Sequence, residues 1–376
     1  LDLAADDLQR CRASMGVAAG HRVTGDFAAA MEALDRAEPI AERLALTLER
    51  SRIHHTRGNL YFSQGRTAEC DAQHVLALRY AEQCGDAQSQ ARALSGLGDA
   101  RYAQGRMGSA LDYFRRCVAL CESQIRIAVP NRCMIGHCLW YANQLPDAIA
   151  AAQSACDDGE RFGVVPVRVF AQATLAQVLT EAGRFEEATA ACAQALALAR
   201  LAGSRRYEAI LLGCSAEHHL RRGDRTAARD ALMQAFALAR QTGLGFIGAA
   251  VQGRLARVAQ SEDERCACLT EGEALLEKTG LAHNHLWFYR DAIEACLDAC
   301  EWGRALNYAA TLEEVFAAEP LPWVGLMVER ARAVAAALAA PGTGAGRARL
   351  AQVREAAVAA GNGWVLTGIE RALAVA

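Results

Sequence analysis

Aromatic residues, prolines and long apolar runs are scarce in this sequence of 376 residues. Aromatics make up 6% of the chain, and there are 7 prolines. The longest apolar run, at residues 333–340, is far shorter than the roughly 20 residues that a membrane-spanning helix needs. The chain also starts at Leu1 without a signal-peptide pattern. We therefore expect a cytoplasmic piece of a longer protein, with no membrane partner.

Neither sign of charge dominates. Lys and Arg number 40 against 43 Asp and Glu, which gives a net charge of −3, and no basic block occurs. Binding to nucleic acid through counterion release needs concentrated Lys and Arg. The charge pattern therefore predicts no nucleic-acid partner.

The fourteen cysteines are scattered, and no Cys-x2-Cys pair occurs. A short, loop-rich disulfide scaffold and a zinc ribbon are both excluded. Cys117/Cys121 and Cys296/Cys300 have the i, i+4 spacing of one helix face, which a metal or redox site can use. Because cysteine commonly serves as a small apolar core residue, we favour a role in packing and predict no metal and no cofactor.

Apolar residues make up 52% of the chain, and most of them are Ala and Leu. Ala, Leu, Arg, Glu and Gln lose little conformational freedom on entering a helix. The composition therefore predicts an all-α protein.

A period of about forty residues is the strongest signal in the sequence. Glycines recur at steps of 40, 40, 38, 40 and 40, with an asparagine in one place: Gly25, Gly65, Gly105, Asn143, Gly183 and Gly223. Each suits a left-handed helix C-cap. Small residues flank each turn, seven positions before it (Ala18, Gly58, Gly98, Gly136, Ala176, Ala216) and five after it (Ala30, Cys70, Ala110, Ala148, Ala188, Ala228). The pattern predicts pairs of closely packed antiparallel helices.

The pattern continues less regularly towards the C-terminus. We expect a seventh unit over Phe246–Thr279 and an eighth over His283–Val315. A last pair is expected at Pro322–Ala339 and Ala345–Ala360, joined by 341–344. Pro39 is expected to kink the second helix or to start a new one. The prediction is one array over 1–376, with regular repeats at about 10–245, divergent repeats at about 246–315 and capping helices at about 322–376.

These positions carry a family resemblance. Leu94, Gly98, Gly105, Ala110 and Phe114 in the third unit resemble the tetratricopeptide motif, as do Gly58, Tyr61 and Ala77 in the second. The resemblance implies a right-handed superhelical solenoid of eight to nine helix pairs. The stretches at 52–62, 94–100, 283–297 and 318–323 further resemble the C-terminal region of bacterial proteins that join a class III nucleotide cyclase, a P-loop ATPase module and a tetratricopeptide tail. That likeness implies a regulatory segment.

Motifs of catalysis are absent from the sequence. It contains no Gly-x4-Gly-Lys-Ser/Thr loop and no His-Glu-x2-His, and the glycine-rich stretch at 342–346 follows no strand. The adjacent pairs His54/His55 and His218/His219 point apart on a helix, and His283 is expected to hydrogen-bond near a helix start. We predict that this segment is not an enzyme.

What remains is the surface of the first helix in each pair, which in such arrays lines a concave groove. Counting from the small residues gives these groove candidates: His55, Asn59, Phe62, Arg92, Asp99, Tyr102, His137, Trp140, Gln177, Glu217, Arg257, Trp287, Arg290 and Glu294. Mixed charge with aromatic anchors favours a polypeptide partner, either an upstream module or a signalling protein. Pairing of these residues across neighbouring repeats is the competing interpretation, residue by residue.

Two functions stay open at this point. One is a non-catalytic regulatory scaffold that binds a polypeptide, with Trp287 and Arg290 as a joint anchor and with Phe288 and Tyr289 in the core. The alternative is a small-molecule sensor that controls attached catalytic or transcription-regulatory modules. The oligomeric state also stays open.

Overall fold

A computed structural model describes residues 6–24, 26–278, 281–339 and 344–375. Over these residues the chain forms nineteen α-helices and no strand. The helices are α1 Asp7–Thr24, α2 Phe27–Arg43, α3 Thr47–Ser63, α4 Thr67–Cys84, α5 Ala87–Ala103, α6 Met107–Cys121, α7 Ile125–Tyr141, α8 Leu145–Phe162, α9 Val165–Glu181, α10 Phe185–Leu201, α11 Arg205–Arg221, α12 Arg225–Thr242, α13 Gly248–Val258, α14 Glu262–Leu276, α15 Ala282–Asp298, α16 Trp302–Val315, α17 Pro322–Ala339, α18 Gly344–Ala359 and α19 Gly363–Val375.

The predicted turns are confirmed wherever the structure describes them. Gly65, Gly105, Gly183 and Gly223 have φ angles of 74°, 81°, 73° and 77°, and Asn143 has 57°. This left-handed conformation ends the first helix of a pair at little cost for Gly or Asn. Gly25 lies outside the described residues.

The predicted small residues allow the helices of a pair to approach closely. All twelve are buried. A Cβ atom added at Gly58 would lie 2.5 Å from Nε2 of His74 on α4, and one added at Gly98 would overlap the ring of Phe114 on α6. At Gly98, therefore, even the single methyl group of alanine is crowded.

The irregular C-terminal region follows the predicted pairs. The seventh unit is α13 and α14, the eighth is α15 and α16, and the last pair is α17 and α18; α19 follows as a separate helix. Residues 341–343 of the predicted joint, and Thr279, lie outside the described residues. At Pro39 no new helix starts, because α2 continues through that residue to Arg43.

The chain divides into two compact units. The N-terminal unit is Leu1–Gln104 with Ser109–Asn131, and the C-terminal unit is Gly105–Gly108 with Arg132–Ala376. The single array over 1–376 stays a prediction. None of the described helices is long and apolar enough to cross a membrane.

Most cysteine side chains are packed in the hydrophobic core. All fourteen cysteines are free and ten are buried, whereas Cys84 and Cys300 are exposed. Burial raises the pKa of the Cys70 thiol to about 12, so the thiolate that nucleophilic or redox chemistry needs is disfavoured there. Cys300 has a φ of 59° and takes the turn position that glycine holds in the regular repeats.

Candidate functional site

All fourteen predicted groove residues lie on the first helices of the pairs, and they divide between the two units. Six belong to the N-terminal unit, on α3 (His55, Asn59, Phe62) and α5 (Arg92, Asp99, Tyr102). Eight belong to the C-terminal unit, on α7, α9, α11, α13 and α15 (His137, Trp140, Gln177, Glu217, Arg257, Trp287, Arg290, Glu294).

In the N-terminal unit most of the candidates are less buried than those of the C-terminal unit. Five of the six are half-buried, and Tyr102 is buried with 8% of its surface exposed. Asn59 donates its Nδ2 amide to Nε2 of His55 at 3.1 Å, and the His55 ring lies 5.2 Å from that of His74. Burial lowers the pKa of His55 to about 4, so this ring is neutral at physiological pH.

Arg92 and Asp99 lie seven residues apart, two turns along the same face of α5. Neither side chain forms a hydrogen bond or an ion pair with the part of the chain that the structure describes. Burial raises the pKa of Asp99 to about 7. A guanidinium and a carboxyl group with unused hydrogen-bonding capacity thus stand on one face of α5, a helix that contacts α3, which carries the half-buried Phe62.

In the C-terminal unit the same helix faces meet one another. Arg257 donates to Glu217 at 2.5 Å and to Asp291 at 2.8 Å. Arg290 donates to Asp291 at 3.0 Å and pairs with Glu181 at 3.5 Å. Burial by itself would raise the pKa of Glu217, but the neighbouring guanidiniums, that of Arg257 above all, hold it well below its usual range.

Three tryptophans donate their indole N–H groups to buried side chains on the first helices of this unit. Trp287 donates to the Tyr141 hydroxyl at 2.9 Å, Trp323 to Oε1 of Glu181 at 2.6 Å, and Trp364 to Oε1 of Glu217 at 2.9 Å. These bonds join residues 142 to 147 positions apart. First helices from both ends of the C-terminal unit therefore pack against each other.

A segment near the C-terminus, residues 361–365, also contacts the first helices of the C-terminal unit. The Trp364 ring lies among four guanidinium carbons, at 4.9 Å (Arg290), 5.4 Å (Arg221), 5.5 Å (Arg330) and 5.9 Å (Arg257). Guanidinium groups attract the electron-rich face of an indole. Asn362 donates Nδ2 to Glu181 at 3.1 Å, and a Cβ at Gly183 would lie 2.8 Å from the Cα of Gly363. Residues 361–365 thus lie against predicted groove residues of the C-terminal unit, among them Glu217 and Arg290.

The joint anchor that we predicted for a polypeptide is therefore not accessible in this structure. Trp287 and Arg290 are 7% and 5% exposed, and both are bonded within the unit. Glu217 and Glu294 are also buried; Glu294 accepts both Nη groups of Arg330. Glu217 and Glu294 are bonded to neighbouring helix pairs, as the competing interpretation has it. Trp287 instead bonds to Tyr141, 146 positions away. Phe288 is buried as expected, and Tyr289 is half-buried against it.

The remaining C-terminal candidates are enclosed as well. His137, Trp140 and Gln177 are buried, and Nε2 of His137 lies 3.2 Å from Oε1 of Gln177. Arg257 has a side chain that is 9% exposed. His283, near the start of α15, donates Nε2 to the Phe246 carbonyl at 2.8 Å, as the sequence predicted.

Several residues that bond to the buried candidates of the C-terminal unit, directly or through Glu181, were not predicted from the sequence. They are Tyr141, Glu181, Arg221, Asp291, Trp323, Arg330, Asn362 and Trp364. Tyr141, Glu181 and Arg221 each follow a groove candidate of the same helix by four residues (137, 177 and 217), so one more turn along the predicted face would have found them. No group of three or more His, Cys, Asp or Glu side chains among the described residues is arranged to hold a metal.

Comparison with known proteins agrees with this architecture. Residues 49–123 match the family model of the tetratricopeptide repeat. The fold is a tetratricopeptide-like helical repeat. No curated protein matches the sequence.

Solved structures share the fold at low identity. Aspartyl phosphate phosphatase F from Bacillus subtilis is similar with a TM-score of 0.60 and 14% identity, over 84% of this chain and 85% of that one. The apo form of RapI gives 0.56 and 14%, over 76% and 97%. The Rap conjugation gene regulator of the plasmid pLS20, in complex with the Phr* peptide, gives 0.57 and 15%, over 72% and 76%.

Proposed function

We propose that this chain is a protein-interaction module that binds a polypeptide on the first-helix face of its N-terminal unit. The observation that carries the proposal is the contrast between the two units. In the C-terminal unit the first helices are bonded to one another and to residues 361–365. In the N-terminal unit Arg92 and Asp99 form no hydrogen bond or ion pair with the described residues. Their helix, α5, contacts α3, which carries half-buried Phe62 and Asn59.

The chemistry of that face suits a peptide. A polypeptide offers carbonyl oxygens to the Arg92 guanidinium and amide N–H groups to the Asp99 carboxylate, and its apolar side chains can cover Phe62. Asn59, whose Nδ2 also donates to His55, adds an amide group that carries no charge. The face lies within residues 49–123, which match the tetratricopeptide model. One structure of similar fold is a complex with a peptide, which supports this choice of ligand.

Within a longer protein, the module would regulate attached domains. The likeness of residues 283–297 and 318–323 to tails of cyclase–ATPase proteins supports a cytoplasmic signalling context. In that context the bound polypeptide is a segment of the upstream modules or of a signalling partner.

The test is a selection of twelve-residue peptides against the whole chain, followed by calorimetry on the best binder. We expect the double variant Arg92→Ala with Asp99→Asn to lose at least about tenfold in affinity, or about 1.4 kcal/mol. The matched control is Asp112→Asn with Arg115→Ala, both exposed on α6. If no peptide is selected, or if the two double variants bind equally well, the proposal fails.

A further inference from the structure

A solvent-connected cavity of about 210 Å³ lies in the C-terminal unit, between α19 and the first helices. Its lining includes five arginines: Arg221, Arg225, Arg257, Arg330 and Arg371. The lining carboxylates are Glu294 and Asp298, and Thr367 adds a hydroxyl group. Five different helices therefore contribute arginines to one small space.

The lining is rich in positive charge even when the carboxylates that pair with its arginines and their neighbours are included. Seven guanidiniums (Arg221, Arg225, Arg254, Arg257, Arg290, Arg330, Arg371) meet five carboxylates (Glu181, Glu217, Asp291, Glu294, Asp298) in this region. Glu294 is already held by two bonds from Arg330. At the exposed rim, Arg371 has no hydrogen bond or ion pair with any described residue.

Buried donors of the lining also lack acceptors. Nη1 of Arg221 and Nε of Arg257 are buried and have no hydrogen-bond partner among the described residues. The Arg257 side chain is 91% buried. A buried donor without an acceptor destabilises a fold by about 1–3 kcal/mol. The arginines of the lining therefore have hydrogen-bonding capacity that the described residues do not use.

We propose that this cavity binds a small dianion with oxygen acceptors, of the phosphate or short dicarboxylate class. The planar guanidinium fork matches such oxygens in bidentate fashion. The volume corresponds to about seven water molecules at roughly 30 Å³ each, which admits a phosphate group or a short dicarboxylate. This ligand is chemically distinct from the polypeptide of the N-terminal unit.

The position of the cavity gives the ligand a structural effect. Thr367 and Arg371 belong to α19, whereas Arg225 begins α12 and Arg257 lies on α13. A dianion held between them ties α19 to α12 and α13. Binding therefore holds residues 361–375 against the rest of the C-terminal unit, so the anion concentration controls the stability of this segment's packing.

Calorimetry on the full chain, in a zwitterionic buffer at constant ionic strength, tests the site. Inorganic phosphate and succinate are titrated separately, with chloride as the reference anion. We expect one site per chain with a dissociation constant below about 1 mM for at least one dianion. Hydrogen exchange in residues 363–375 should slow at saturation. The two titrations distinguish the phosphate source from the dicarboxylate source.

The variant Arg225→Gln with Arg371→Gln removes two exposed rim charges, so it should fold. We expect it to bind at least about tenfold more weakly. The control Arg240→Gln with Arg354→Gln removes the same charge from exposed positions on α12 and α18 and should bind as the wild type does. An absence of saturable binding, or equal weakening in both double variants, would overturn the proposal. No polypeptide is present, so either result leaves the proposed function untouched.

Discussion

Trp364 donates its indole N–H to Glu217 at 2.9 Å across 147 positions of the chain. Trp364 is 1% exposed, and the carboxylate that accepts its hydrogen bond also pairs with Arg257 and Arg221. One bond thus joins the C-terminal segment to the charged layer of the C-terminal unit. The same contact covers Glu217, a predicted groove residue of α11.

Replacing Trp364 tests the contribution of these contacts to stability. Trp364→Ala should destabilise the chain by about 3–5 kcal/mol, because it leaves a cavity among four guanidiniums. Trp364→Phe keeps most of the ring but loses the bond to Glu217, and it should cost about 1–3 kcal/mol. Urea unfolding measures both. Trp302→Ala, at a half-buried position on α16, is the control; an equal loss there would contradict the special place of Trp364.

Substitution of Arg290 tests whether this residue stabilises the fold through its buried ion pairs or binds a polypeptide, as the sequence predicted. Arg290→Ala leaves Glu181 and Asp291 buried with one cation fewer, and breaking a buried pair costs about 3–5 kcal/mol. We expect a large fall in the melting temperature of the ligand-free chain. A variant that melts like the wild type but binds peptide more weakly would restore Arg290 as a recognition residue.

Glycine packing gives an internally controlled prediction. In α1 the space around Gly16 is open, so Gly16→Ala should stabilise the chain by up to about 1 kcal/mol through helix propensity. Gly98→Ala carries the same change in propensity but meets the Phe114 ring, and it should destabilise by about 1–3 kcal/mol. Thermal unfolding of the two variants, side by side, measures the difference. Equal stabilisation by both would show that α5 and α6 do not pack as described.

Asp99 predicts a pH dependence of stability. Its folded pKa is about 7 against a reference of 3.8, so the unfolded chain releases this proton first as the pH rises. The contribution of Asp99 is therefore most favourable below about pH 4 and is lost between about pH 4 and pH 7. Asp99→Asn removes it. We expect the variant to gain stability over the wild type at pH 8 but not at pH 4; a constant difference would contradict the raised pKa.

The repeat was predictable from the sequence because its determinants are local. Gly65 and Asn143 set turns between adjacent helices, and Ala110 packs within its own pair, so a forty-residue window contains the whole cause. The bond between Trp364 and Glu217 has no such window. It depends on how the small rotations of successive helix pairs add up along the unit, which no single repeat specifies. The face of each candidate was therefore predictable, whereas its partner was not.

Hydrogen exchange of the whole chain, with and without a selected peptide, tests the proposed interaction most directly. We predict slower exchange in α3 and α5 on binding, with exchange in α11, α15 and residues 361–375 unchanged. Slower exchange confined to α11 and α15, with faster exchange at 361–375, would show instead that the peptide displaces the C-terminal segment. That result would contradict the assignment of recognition to the N-terminal unit.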